Sequence, residues 1–399
     1  MNRTRIFLIF PALLVLCLSC FLSGCRGTSA GLREPSVFPD AGTFSLTFLT
    51  IGKGDAFLLE TPEHKNYLID TGKAQDYVHI AKALRVKEIA SLDGIFLTHG
   101  HKDHTGSLSM LLQAFPTQKV YYWAEDQSSY KEIFPREFVS KYGAELVSPS
   151  SGELLDLGGV TAEVFLPPVP DSRNENNNSM ILMLTHGKNK FLMMGDAELE
   201  EESLLMKSGM DLKADILKLG HHGEDDASSP AFLRKVQPTI GLIAGNAEEN
   251  PESLDPLISS RLKDFQIQAY YSESPGLGYC FLSDGKNIET KVLEDRDFPI
   301  ELNLCFEEVN RSEQRVVIRN NGEDTADLSG CLIRSVKKDE LFLFPEGTLL
   351  KPGEKITVAC RDASLPGDLT WDADSVWQPK KDKARLYDQN LNLLDENLP

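Results

Sequence analysis

Residues 97 to 106 read LTHGHKDHTG, which places three of the chain's eight histidines and one aspartate within six positions. The preceding LDGIFLT (92–98) has the composition of a buried strand. The polar cluster thus sits on the loop leaving a strand's C-terminal end, where α/β folds commonly place ligand sites. Imidazole nitrogens with carboxylate oxygens are the donors of zinc, manganese and iron at catalytic centres. His99 and His101, two apart on an extended loop, can point the same way. Asp103 and His104 then turn toward a neighbouring position, so one cluster can serve two adjacent metals.

Such a site needs further ligands, and two later strand ends offer them. FLMMGDAE (191–198) leaves Asp196 at the end of an apolar run, and ADILKLGHHG (214–223) leaves His221 and His222 in the same situation. A lone aspartate at a strand end is ordinarily a helix cap, and a lone histidine pair ordinarily lies on the surface. Three such strand ends on one chain favour metal binding.

Working outward, short strands and helices alternate from Phe44 to about residue 296. FSLTFLT, AFLLE and NYLID read as strands, AQDYVHIAKALRVK as a helix, and SMILMLT with KFLMMGD as a hairpin joined by HGKNK. Strand–helix alternation calls for a layered α/β fold. From about Asp297 the helical periodicity disappears, and short strands with turn signals suggest a β-sandwich over residues 297–399.

The N-terminus differs from both. Arg3 and Arg5 precede IFLIFPALLVLCLSCFL, which ends in LSGC (22–25). A charged start, a short apolar run and small residues before a cysteine form a secretory signal. The LSGC end resembles the bacterial lipobox, implying cleavage before Cys25, lipid attachment to Cys25 and tethering at the cell surface. Residues 25–43, rich in Gly, Pro and Ser, read as a flexible tether. Cys280, Cys305, Cys331 and Cys360 lack CxxC spacing and read as apolar thiols rather than a zinc knuckle. With 60 acidic against 41 basic residues, the chain repels polyanions at long range. Contact with nucleic acid requires a local basic patch or bound metal to offset that field.

THGHKDHTG with LIDTG, MGDAE and HHG resembles the metallo-β-lactamase fold superfamily, and in particular the hydrolase domain attached to competence DNA-uptake channels. IGKGDAFLLE, NNNSMILML and SSPAFLRKVQP fall in the same order, so the resemblance spans roughly residues 44 to 295. It implies a four-layer αβ/βα sandwich with one or two divalent metals, Zn or Mn, at one sheet edge. The implied ligands are His99, His101, Asp103, His104, Asp196 and His221, with His222 as the alternative to His221. Asp70 is implied to orient the ligands through hydrogen bonds, and Asp103 to serve the metal that carries the reactive water. The implied reaction is hydrolysis by metal-activated water, with a phosphodiester of extracellular DNA as the leading substrate. A small ester, lactone or β-lactam, and a non-catalytic surface-binding protein, are the alternatives.

The sequence departs from the pattern in three places. Two-metal members carry a further histidine before the position of Asp196, yet His186 is the only histidine between His104 and His221, and it lies in the hairpin THGKNK. DSRNENNNS (171–179) stands in that segment instead, with Asn177, Asn178 and Ser179 as candidate substrate contacts or as a turn stabilised by its own side chains. Glu224 follows HHG where serine is usual, and AGNAEENPES lacks a Gly-His-Pro. Lys53 is read as a solvated loop lysine.

The C-terminal segment resembles the lamin-tail domain, an immunoglobulin-like β-sandwich, through LKPGE (350–354), Trp377 and KARLYD (383–388). Lys380, Lys381, Lys383 and Arg385 lie near Trp371 and Trp377 in sequence. This interleaving suits nucleic acid or an anionic wall polymer, although a solvated hairpin is the commoner use of such a run.

Overall fold

The computed structural model describes residues 42–126, 136–245, 255–273, 276–338 and 340–398. The signal segment, Cys25, nearly all of the tether and most of AGNAEENPES lie outside the described residues. Among the described residues no helix is long and apolar enough to cross a membrane.

Two mixed β-sheets form the centre of the larger domain. In the first, Phe44–Leu49, Phe57–Glu60, Asn66–Ile69, Gly94–Phe96, Lys119–Tyr121 and Glu145–Val147 follow one another in space. The hairpin Gly278–Ser283 and Ile288–Leu293 adds to the free side of Phe44–Leu49. The second sheet runs from Leu154–Asp156 through Thr161–Phe165, Ile181–His186, Asn189–Met193, Ile216–Lys218 and Ile240–Ile243 to Gln268–Tyr271.

The two-residue period of a strand sends alternate side chains to opposite faces, and both faces are apolar here. Phe57, Leu59 and Ile69 meet Leu182, Leu184 and Phe191 in a core between the sheets. Leu58 and Leu68 face the helices Tyr77–Val86 and Leu108–Ala114 on one outer side. Ile181, Met183 and Leu192 pack with residues of the helices Leu199–Lys207, Pro230–Val236 and Pro256–Asp264 on the other. The architecture is a four-layer αβ/βα sandwich.

Residues 294–303 have no regular secondary structure, and a β-sandwich follows. One sheet contains Leu304–Asn310, Arg315–Asn320, Lys355–Cys360 and Leu369–Trp371, and the other Glu340–Leu343, Leu332–Ser335, Ala384–Tyr387 and Leu393–Asn397. Trp377 and Trp371 lie edge to face in its core, 5.6 Å between ring centroids. They are 1% and 3% exposed, which corrects their reading as part of a stacking surface: neither ring is open to a ligand. Lys383 and Arg385 pair with Glu396, leaving Lys380 and Lys381 on the exposed turn. The sandwich packs against the larger domain through Leu332, Leu341, Tyr387 and Leu391, which join the apolar cluster formed by the helices Tyr77–Val86 and Leu108–Ala114. Arg334, 2% exposed, donates to the Ala74 carbonyl at 2.8 Å across the same contact.

Candidate metal centre

Parallel strands deliver the site. Asn66–Ile69 and Gly94–Phe96 pair in parallel, as do Asn189–Met193 and Ile216–Lys218, and each is followed by a polar residue of the cluster. These are Asp70, His99, Asp196 and His222. Two glycines make the approach feasible. Gly195 holds φ +54°, and a Cβ there would press on Ser179 and Thr98. A Cβ at Gly220 would lie 2.2 Å from the Ala197 carbonyl oxygen.

His104 occupies the centre. Its Nε2 lies 3.0 Å from Asp196 Oδ2, and its Nδ1 lies 2.8 Å from Asp70 Oδ2. His222 Nε2 reaches the same Asp196 oxygen at 3.0 Å and Asp103 Oδ2 at 3.3 Å. Asp103, His104, Asp196 and His222 therefore converge as four donors. His99 Nε2 lies 3.9 Å from Asp196 Oδ2 and 3.0 Å from His101 Nδ1. His101 is the exposed member, with its Nε2 3.3 Å from Glu175.

Of the two histidines that the final motif offers, His222 joins the cluster and His221 does not. After the extended Gly220 the backbone turns left-handed at both histidines, with φ 41° at His221 and 52° at His222. This turn buries His222, whose Nδ1 lies 2.7 Å from the Ala244 carbonyl oxygen. His221 faces the rim, where Asp226 lies 2.9 Å and Glu198 3.5 Å from its Nδ1.

Asn177, Asn178 and Ser179 form the turn that the sequence offered as the alternative to substrate contact. Their side chains are buried and serve the loop: Asn177 Oδ1 accepts from Glu198 N, and Asn178 Oδ1 from Asp171 N. The Ser179 hydroxyl donates to the Asn176 carbonyl and accepts from Asp196 N at 2.9 Å. They fix the segment bearing Asp196. His186 lies elsewhere, its Nδ1 2.9 Å from Ser283 Oγ. Lys53 pairs with Glu224 at 3.1 Å instead of standing solvated.

Two members of the cluster were not singled out in the sequence. Lys218 is fully buried and lies 2.7 Å from Asp55 Oδ2 and 3.2 Å from Asp196 Oδ1. The signal was available: a buried parallel strand reads as a continuous apolar run, and the lysine interrupts ILKLG. Asp55 likewise opens an apolar strand in GDAFLLE.

The donor set fits a divalent cation. His222 Nε2 is buried within reach of two carboxylate oxygens, yet it makes no directed hydrogen bond. A cation shared among these groups accounts for that. Burial disfavours the imidazolium of His104, but Asp196 and Asp70 outweigh it and raise the ring well above its ordinary value. His222 is likewise held up, at about 9, with burial opposing and Asp196 the main support. Asp196 is driven well below the usual carboxylate range by His104, His222 and Lys218, against its own burial. Protons on these rings supply the positive charge that a divalent ion takes over, so binding releases protons.

Residues 49–245 match the Metallo-beta-lactamase superfamily, and residues 301–397 match the Lamin Tail Domain. ComE operon protein 3 of Bacillus subtilis is 27% identical over 213 residues, which are 49% of this chain and 27% of that protein. Recombination protein 2 of Haemophilus influenzae is 27% identical over 207 residues, 51% of this chain and 24% of that one. The chain thus spans about a quarter of the length of these relatives. Among solved structures, the metallo-beta-lactamase fold protein YhfI from Bacillus subtilis aligns at 14% identity with a TM-score of 0.43. That alignment covers 60% of this chain and 99% of that one. On the family matches and these relatives, the chain carries a metallo-beta-lactamase domain akin to those of ComE operon protein 3 and Recombination protein 2, followed by a lamin tail domain.

Proposed function

We propose that this metallo-beta-lactamase superfamily hydrolase cleaves phosphodiester bonds of DNA outside the cell, tethered to the membrane through lipid on Cys25. The observation that carries the reading is the convergence of Asp103, His104, Asp196 and His222, with His99 and His101 alongside, at the ends of parallel strands. The relative named Recombination protein 2 supports DNA as the substrate class.

Asp103, His104, Asp196 and His222 would hold one ion, with His99 and His101 beside Asp196 offering a second position. Zn suits the imidazoles, and Mn accepts the carboxylates more readily. A divalent cation supplies acidified water and stabilises negative charge on the substrate oxygen. The chain's own residues orient that chemistry. Asp70 fixes the His104 ring, and Ser179 fixes the backbone of Asp196.

A second reading, hydrolysis of a small ester or lactone, draws on the rim. Glu198, Glu224 and Asp226 surround His221, and Lys53 is already engaged by Glu224. This acidic border disfavours a polyanion. In either case we propose that the C-terminal domain attaches the enzyme to nucleic acid or an anionic wall polymer, with Lys380 and Lys381 among its exposed cations.

The test is cleavage of single- and double-stranded DNA with added Mn or Zn, alongside His101→Ala and Asp103→Asn. Metal-dependent cleavage lost in both variants supports the nuclease. Bound metal without DNA cleavage, together with turnover of a small ester or lactone, supports the second reading.

A further inference from the structure

The Lys218 ammonium lies in the midst of the cluster with no exposure to water. Burying a charge is costly unless its partners are complete. An ammonium has three donors, and here each has an acceptor: the Gly195 carbonyl oxygen at 2.5 Å, Asp55 Oδ2 at 2.7 Å and Asp196 Oδ1 at 3.2 Å. Three oxygens, one from Asp55 and two from the adjoining Gly195 and Asp196, therefore close around one point, and a lysine nitrogen fills it. An apolar residue at this position would leave the Asp55 and Asp196 carboxylates buried without their countercharge.

The consequence falls on Asp196. Its Oδ2 faces His104 and His222, whereas its Oδ1 is taken by Lys218. Asp55 lies deeper, with Oδ1 buried and without a hydrogen-bond partner. Asp55, Asp196 and His222 offer ligand atoms within 4.8 Å of one another, so these groups can hold an ion once the ammonium is gone.

We propose that Lys218 is a positioning residue that occupies a cation position built by Gly195, Asp55 and Asp196, and so restricts Asp196 to metal coordination through Oδ2. The role rests on the metal-centre reading above. It is a built-in cation that keeps a divalent ion out of the deeper position and leaves the outer one in register with Asp103, His104 and His222.

The test counts manganese ions per chain by equilibrium dialysis for the wild type, Lys218→Met, Lys218→Arg and the double variant Lys218→Met with Asp55→Asn, with circular dichroism to follow folding. Lys218→Met is expected to bind one more ion than the wild type. Lys218→Arg and the double variant are expected to match the wild type. If Lys218→Met is unfolded without metal, manganese is expected to restore its helical signal. A folded Lys218→Met chain with the wild-type count, or one that stays unfolded in saturating manganese, overturns the proposal. A wild-type chain that binds no ion defeats the metal-centre reading itself and is read apart from the comparison among variants.

Discussion

Asp70 Oδ2 and His104 Nδ1 lie 2.8 Å apart, both fully buried, and this pair fixes which ring nitrogen His104 presents to the centre. Asp70 is itself held, accepting from Thr98 N at 2.8 Å and Thr98 Oγ1 at 2.7 Å, on a backbone with φ 59°. Carboxylate partners behind a ligand histidine typically contribute ~10–100-fold in metal affinity. Asp70→Asn is therefore expected to weaken metal binding by about that factor, measured by competition with a chelator. Unchanged affinity would show that Asp70 only packs.

Glu201 gives a pH prediction away from the ligands. It is fully buried on the helix Leu199–Lys207, with Oε2 3.3 Å from Ser179 N and Oε1 unpartnered. Burial raises its carboxyl well above 4.5. A group raised in the folded state stabilises it fully below the unfolded pKa, and that stability is lost as pH rises through the folded pKa. Glu201→Gln is thus expected to exceed the wild type in stability above neutrality, by about 1–3 kcal/mol, with the gap closing on acidification below 4.5. Urea denaturation at pH 4 and pH 8 measures this. A pH-independent difference would contradict it.

Trp377 separates packing from recognition in the C-terminal domain. It fills the sandwich core against Trp371 and is 1% exposed. Trp377→Ala is expected to lower stability by ~3–5 kcal/mol, read from the urea midpoint. Any polymer binding is expected to persist wherever the variant remains folded. Binding lost at unchanged stability would return Trp377 to the surface role.

The layered fold and the outline of the centre were legible because both depend on local pattern. Apolar strands ending in Asp70, His99, Asp196 and the His221–His222 pair mark sheet ends from sequence alone. What escaped depends on three-dimensional closure. The choice between His221 and His222 turns on two successive left-handed residues, a backbone state that non-glycine residues seldom adopt. Asp55 and Lys218 lie 163 positions apart and acquire meaning only as a buried pair. The Asn-rich segment reads equally as a substrate contact or a turn, and its buried hydrogen bonds to Asp171 and Glu198 decide for the turn. The basic run beside Trp377 hid a core tryptophan, since sequence adjacency does not reveal which neighbour faces inward.

The most direct measurement of the metal centre is the metal content of the wild type, His222→Ala and His221→Ala after identical loading and desalting. His222→Ala is expected to lose the ion held with Asp103, His104 and Asp196, and His221→Ala to keep it. Retention in His222→Ala with loss in His221→Ala would contradict the centre described here.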